Sequence, residues 1–322
     1  MGKFNWGILG PGNIAVRFTN DLKRLPDAQL LAVGSRTLDK AQAFCRRQGA
    51  ERAYGSYEEL LRDRDVDAVY VSTPHNFHRE HVLLALKHGK PVLCEKPMEV
   101  NAARVREMVQ AARDHNLFLM EAMWPRFLPV TSAVRQWIKD GRIGEIRLVA
   151  ANFGFRTAWN PENRLLNLGL AGGATLDVGV YVVALAHMLL GTPSGIQAKA
   201  HIGETGVDEL TGMILSYPSG AMAQLSCAVR ANISDGARIY GTEGYIDVPA
   251  FWRATEATLQ VAGQEPEKVT GEAGYHYEAA EVADCVRTGL KESPLMPLDE
   301  SVAIHESLEE VRRQIGLRYP FE

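Results

Sequence analysis

Cysteine is scarce in this sequence. The 322 residues hold four, Cys45, Cys94, Cys227 and Cys285, widely separated and with no CxxC pair. That argues against a disulfide framework and for reduced thiols. No uninterrupted apolar run reaches the ~18 residues that suggest a membrane span. The formal net charge is only −4, so neither nucleic acid nor an anionic membrane is expected as a partner. A strand pattern begins by Phe4, which leaves no room for a signal peptide, and a cytoplasmic protein is expected. There is no internal repeat and no low-complexity segment. The apolar fraction of 46% and the charged fraction of 23% are those of an ordinary soluble protein, long enough for about two domains.

Strand and helix signals alternate over the first 120 or so residues. Phe4–Leu9 reads as a strand, followed by a glycine turn and a helix to about Arg24. Leu30–Ser35 is a second strand, and a helix from Asp39 stops at Gly49. Ser56-Tyr57-Glu58-Glu59 has capping-box spacing. Further strands are expected at Ala68–Ser72, Pro91–Cys94 and Leu117–Met120, separated by helices from His78 and from Asn101. This alternation predicts a Rossmann-type, doubly wound parallel sheet over residues 1–122. After Trp124-Pro125-Arg126 the pattern changes to one helix, then strands with hairpin punctuation, interrupted by a helix over Asp177–Leu190. Residues 123–322 are therefore expected to form an α+β domain with a mainly antiparallel sheet and a largely helical tail.

Gly10-Pro11-Gly12-Asn13-Ile14-Ala15 is a GxGxxA pattern between the first strand and the first helix. Gly10 allows the tight turn, Gly12 lets backbone approach a pyrophosphate, and the helix start at Asn13 and Ile14 offers amide donors. The pattern is weak alone but sits in the strand–turn–helix context it requires. An NAD site usually ends the second strand in an acid that binds the ribose 2′-hydroxyl. This sequence has Ser35 and Arg36 there, a hydroxyl and a guanidinium suited to a 2′-phosphate, so NADP is expected over NAD. Ser72, Thr73, Pro74 and Asn76 lie at the end of the Ala68–Ser72 strand, where they would meet the central ribose or the nicotinamide half. His75, His78 and His81 recur every third residue but lack Cys or acid in ligand register, so no metal is expected and His78 reads as a helix-start or packing residue.

Lys96 follows a short apolar strand and precedes Pro97, which puts a cation at a strand's carboxyl end, where open α/β sheets bind ligands. Together, the glycine turn, Ser72-Thr73-Pro74, Glu95-Lys96-Pro97 and the segment Gly172-Gly173-Ala174-Thr175-Leu176-Asp177-Val178-Gly179-Val180-Tyr181 resemble the Gfo/Idh/MocA oxidoreductase family over nearly the whole chain. Met120–Phe127, Tyr275-His276-Tyr277-Glu278, Glu292-Ser293-Pro294 and the ending Gly316–Glu322 are similar to the dimeric dihydrodiol dehydrogenase branch, which includes NADP-linked D-xylose dehydrogenases. Many family members carry His where this chain has Tyr181, and that branch carries Tyr. The resemblance implies a cofactor contact at Glu95 and Lys96, a cis Lys96–Pro97 bond, and a homodimer formed through the second domain's sheet.

It also implies a catalytic set. Asp177 and Tyr181 are four apart on the expected helix and so project from one face. A phenol of pKa ~10 is a poor base at neutral pH unless a cation lowers it. Lys96 is such a cation and can also stabilise a developing alkoxide. Tyr181 is thus expected to handle the proton, Lys96 to tune it and clamp the substrate, and Asp177 to accept a substrate hydroxyl; the order of Lys96 and Tyr181 in the relay stays open. Trp124, Arg126, Phe155 and Trp159 are candidate substrate contacts, although aromatic residues here also suit an inter-domain core. The expected activity is NADP-dependent hydride transfer to or from a sugar or a cyclic diol or carbonyl. Two rivals are a non-catalytic dinucleotide-binding regulator, which would need neither Lys96 nor Tyr181, and a lyase or hydrolase with retained NAD, which Ser35-Arg36 disfavours.

Overall fold

Short apolar runs closed by glycine turns build the first of two units. A computed structural model describes residues 2–322. Its first unit ends at Trp124 and takes in Gly274–Val302; its second holds Pro125–Ala273 and Ala303–Glu322.

In the first unit, strands β1 (Phe4–Leu9), β2 (Ala28–Gly34), β3 (Arg52–Tyr54), β4 (Ala68–Val71), β5 (Val92–Glu95) and β6 (Leu119–Ala122) form a sheet in the order β3-β2-β1-β4-β5-β6. Every neighbouring pair is parallel. The direction of winding reverses between β1 and β4, and their carboxyl ends flank the switch point where such sheets bind ligands. Every residue of β4 and β5 is buried, as expected when helices cover both faces. The helices are α1 (Asn13–Leu22), α2 (Leu38–Gln48), α3 (Tyr57–Leu61), α4 (His78–Lys87) and α5 (Ala102–Asp114). Their local signals act as read: Ser56 Oγ accepts the Glu59 N–H at 3.2 Å, Asn101 Oδ1 accepts the Arg104 N–H at 3.0 Å, and Gly49 ends α2 at φ +83°.

In the second unit, α6 (Pro129–Lys139) precedes β7 (Ile146–Gly154), a π-helical turn over Thr175–Gly179, and α7 (Val180–Leu190). Strands β8 (Gly195–Ile202), β9 (Asp208–Ser216), β10 (Met222–Ala228), β11 (Gly236–Gly241), β12 (Gly244–Pro249), β13 (Glu256–Val261) and β14 (Glu267–Thr270) join β7 in an eight-stranded sheet. The order is β14-β13-β12-β11-β7-β10-β9-β8, antiparallel except at β7–β10. α7 packs on β7 and β10. β9 alternates inward residues such as Met213 and Leu215 with exposed Leu210 and Ile214, so the opposite face of the sheet is open. Among the described residues, only the helical run Leu168–Leu190 has the length and apolarity of a membrane span; most of it is buried, as in the core helix of a soluble protein.

Two helices complete the chain, α8 (His276–Thr288) and α9 (Leu298–Ile315). Residues 274–302 were expected in the second domain, and packing assigns them to the first unit. α8 lies on α1, the Tyr275 N–H donates to Asp21 Oδ2 at 2.8 Å, and Arg287 pairs with Asp27 at 2.5 Å.

Candidate active site

Gly10 sits at φ +95°, and a Cβ there would lie 2.8 Å from Thr73 Cγ2 and 3.1 Å from the Ser72 carbonyl oxygen. Only glycine lets the β1–α1 turn pass under the loop after β4. Ser72 Oγ donates to the Gly10 carbonyl at 2.9 Å and laces the two together. At Gly12 a Cβ would meet nothing within 4 Å, so its backbone faces open space. Among the described residues no side chain caps α1, and the first-turn amides of Asn13 and Ile14 have no intrahelical acceptor. Pro74 leads into a short 3₁₀ turn, His75–Phe77, and buried Asn76 Oδ1 has no hydrogen-bond partner among the described residues. An open cradle at Gly12, an uncapped helix start and an orphaned amide oxygen fit the pyrophosphate and ribose hydroxyls of a dinucleotide.

At the end of β2, Ser35 is buried and its N–H donates to the Tyr54 carbonyl at 3.2 Å, whereas Arg36 is exposed. Arg36 lies close enough to Tyr57 and His81 to act on both electrostatically. The Tyr57 and His81 rings meet edge-on at 4.6 Å, and Thr73 Oγ1 is 2.8 Å from His81 Nδ1. Burial, aided by His78 and Arg36, holds the His81 pKa down to about 4. The nearest acid in the chain, Asp39, sits in the first turn of α2, as its sequence position suggests.

β5 delivers Glu95 and Lys96. The Glu95 carboxylate accepts the Tyr70 hydroxyl in the core. Lys96 is half-buried, and its bond to Pro97 is cis, as the resemblance implies. His78 does open α4, but it also bridges two backbone segments: its Nε2 is 2.7 Å from the Thr73 carbonyl oxygen and its Nδ1 3.0 Å from that of Pro97. Trp124 packs on Tyr275, ring centroids 4.7 Å apart.

In the second unit, Asp177 lies within the π-helical turn and Tyr181 in the first turn of α7. Both are buried, and the expected α-helix over Asp177–Leu190 is thus a wider turn followed by a helix. Arg164 Nη2 donates to Asp177 Oδ1 at 2.7 Å. The Tyr181 ring meets Phe153 edge-on at 5.5 Å, Phe153 stacks on Trp252 at 4.7 Å with an 8° interplanar angle, and Phe155 lies 6.3 Å from Phe153. Trp252 Nε1 donates to Asp235 at 2.7 Å, which fixes the indole plane. Arg126 is buried. Trp159 does not join this aromatic group: it is exposed beneath the Arg230 guanidinium at 5.4 Å, beside a hollow of about 360 Å³ that His201, Glu204 and Glu209 also line. Sequence reasoning missed Trp252, Asp208 and the burial of Glu278. Nothing in the local sequence marks Trp252 or Asp208, or shows that Glu278 is buried, because each environment is made by residues distant along the chain.

Residues 4–123 match a family described as "Oxidoreductase family, NAD-binding Rossmann fold", and residues 131–247 match the "GFO/IDH/MocA C-terminal domain". Trans-1,2-dihydrobenzene-1,2-diol dehydrogenase of Mus musculus is 42% identical over 328 residues, covering 98% of each chain. The Homo sapiens enzyme of that name is 40% identical over 330 residues, again covering 98% of each. Among solved structures, the aldose-aldose oxidoreductase from Caulobacter crescentus complexed with glycerol superposes with TM-score 0.89 at 26% identity over 97% of each chain. KijD10, a 3-ketoreductase from Actinomadura kijaniata in complex with NADP and TDP-benzene, gives TM-score 0.86 at 27% identity over 98% of each.

Proposed function

Because the chain belongs to the Gfo/Idh/MocA oxidoreductase family, we propose that it is an NADP-dependent dehydrogenase or reductase of a cyclic diol or sugar, with Lys96 and Tyr181 handling the substrate oxygen and its proton. The observation that carries this reading is the pair Asp177 and Tyr181, both buried on one helical segment beside the Phe153–Trp252 stack. A phenol next to flat aromatic rings suits a carbinol on a ring with an apolar face.

Bound NADP supplies the hydride chemistry. Gly10, Gly12 and the amides of Asn13 and Ile14 would hold its pyrophosphate, Ser35 and Arg36 its 2′-phosphate, and Ser72, Thr73, Pro74, Asn76 and Glu95 its ribose and nicotinamide half. Lys96 polarises the substrate oxygen, and Tyr181 takes or returns its proton. Asp177, oriented by Arg164, accepts a neighbouring substrate hydroxyl. Trp124, Arg126, Phe155 and Trp159 are the proposed substrate contacts, Trp159 being the exposed one.

The protein works in the cytoplasm as a homodimer. Tyr240, Leu148 and Met222 stand in register across β11, β7 and β10 on the open sheet face, and Tyr240 and Met222 are exposed. A second copy would cover this row; a monomer by light scattering at micromolar concentration would refute the dimer. The activity itself is tested by reduced-nicotinamide absorbance with NADP or NAD against aldoses and trans-dihydrodiols. Turnover with NADP and a diol or sugar is expected, and its absence across the panel would refute the reading.

A further inference from the structure

Asp208, the first residue of β9, is fully buried and takes no part in the proposed chemistry. Its Oδ2 accepts three hydrogen bonds, from the Thr175 N–H at 2.7 Å, the Thr175 hydroxyl at 2.6 Å and the Thr211 hydroxyl at 2.7 Å. Its Oδ1 has no partner among the described residues. Instead it presses on Gly173, where a Cβ would lie 2.1 Å away and φ is +120°. Burial pushes the Asp208 carboxyl above the usual carboxylate range, against the pull of Thr175 and Thr211.

The neighbouring glycine is held as tightly. A Cβ on Gly172 would come within 2.6 Å of the Arg164 carbonyl oxygen, and the Gly172 carbonyl accepts the Tyr319 hydroxyl at 2.9 Å. The Gly173 N–H donates to the Leu165 carbonyl at 2.9 Å. The double-glycine turn is therefore clamped from three sides, by the loop bearing Arg164, by the C-terminal segment and by Asp208. Thr175, which Asp208 grips at backbone and side chain, opens the π-helical turn, and Asp177 follows two residues later.

A buried carboxylate with one oxygen unpartnered is costly to keep, and an apolar residue would fill the same space at less cost. What Asp208 adds is a fixed acceptor at the point where the active-site helix begins. We propose that Asp208 is a positioning residue for Asp177 and Tyr181: by anchoring Thr175 and occupying the space beside Gly173, it sets the π-helical turn that aims both side chains. This rests on the reading that Asp177 and Tyr181 handle the substrate.

The test compares Asp208→Ala, Asp208→Asn and Thr175→Val in the full-length enzyme. The Asn carboxamide oxygen can accept the same three donors, and Thr175→Val removes one donor while keeping the backbone N–H. Misplacing a reacting group by about 1 Å costs on the order of 100-fold in rate, so Asp208→Ala should lower kcat by about that factor. Its KM for NADP should hold, and Asp208→Asn should recover most of the lost turnover. An alanine variant with normal kcat, or an asparagine variant as impaired as alanine, would overturn the proposal. If Asp208→Ala does not fold, Thr175→Val decides, with an unchanged kcat as the refuting result. A double-mutant cycle separates the two readings. If Asp177→Asn alone leaves turnover intact, the catalytic reading fails. If Asp177→Asn is impaired but its loss simply adds to that of Asp208→Ala, Asp208 does not act through Asp177 and only the positioning proposal fails.

Discussion

Arg164 and Asp177 form an ion pair at 2.7 Å in which the carboxylate is buried and the guanidinium reaches towards solvent. The Arg164 and Leu165 carbonyl oxygens lie 2.6 and 2.8 Å from where a Gly172 Cβ would sit, so the loop that delivers the arginine also packs on the double-glycine turn. Removing Arg164 leaves the Asp177 carboxylate without that charge-assisted bond. Such bonds are worth about 1.5–3 kcal/mol, so Arg164→Ala should reduce kcat/KM by roughly 10- to 100-fold. Steady-state kinetics with an unaltered KM for NADP is the check.

Gly12→Ala separates fold from function. The added methyl meets no protein atom, so Tm should stay within a degree or two of the parent. The same methyl fills the space expected for the pyrophosphate, and Kd for NADP, followed by fluorescence quenching, should weaken by an order of magnitude or more. Unchanged cofactor affinity would remove the phosphate from this turn.

Arg36→Ala tests the cofactor preference. Loss of a guanidinium–phosphate contact should raise KM for NADP by roughly 10- to 100-fold and leave KM for NAD nearly constant. Equal changes for both cofactors would place the 2′-phosphate elsewhere.

Lys96→Ala should lower kcat by at least about 100-fold while NADP still binds, and Tyr181→Phe should slow turnover and remove the phenol from the pH profile. Near-normal turnover of Lys96→Ala would reject the proposed chemistry. An unchanged profile in Tyr181→Phe would move the proton to another group.

The pH dependence of stability should carry the mark of Glu278. This carboxyl is fully buried, both its oxygens lack a partner among the described residues, and burial, then Glu95 and Asp21, push its pKa well above the ordinary value. Its folded pKa is therefore higher than its unfolded one. The stabilisation it contributes is complete below the unfolded pKa near 4.5 and is lost as pH rises towards the folded pKa. The slope approaches about 1.4 kcal/mol per pH unit where only the folded form keeps the proton. His81 and His187, both held down to about 4 chiefly by burial, act in the opposite sense, and their contribution disappears as pH falls from about 6.5 to 4. Subtracting urea-melt stabilities of Glu278→Gln from the parent isolates the Glu278 contribution, and a flat difference above pH 5 would contradict it.

Much of the architecture is legible before folding is considered. The caps at Ser56 and Asn101 and the stop at Gly49 depend on neighbours a few residues away, and each acts as read. β3 escaped notice because three half-buried residues carry no usable periodicity. The boundary between the units was displaced because α8 docks on α1, a contact between segments more than 250 residues apart.

The candidate site divides along the same line. The residue types are read along the chain: two glycines at a strand end, Ser35-Arg36 in place of an acid, Lys96 before a proline, and Asp177 four residues from Tyr181. How they are held depends on the folded chain. It set the π-helical turn at Asp177, the Arg164 ion pair, the Trp252 face behind Phe153 and the buried anchor at Asp208. Propensity and capping act over a turn or two of chain, whereas burial and hydrogen-bond satisfaction depend on which distant segments share a core.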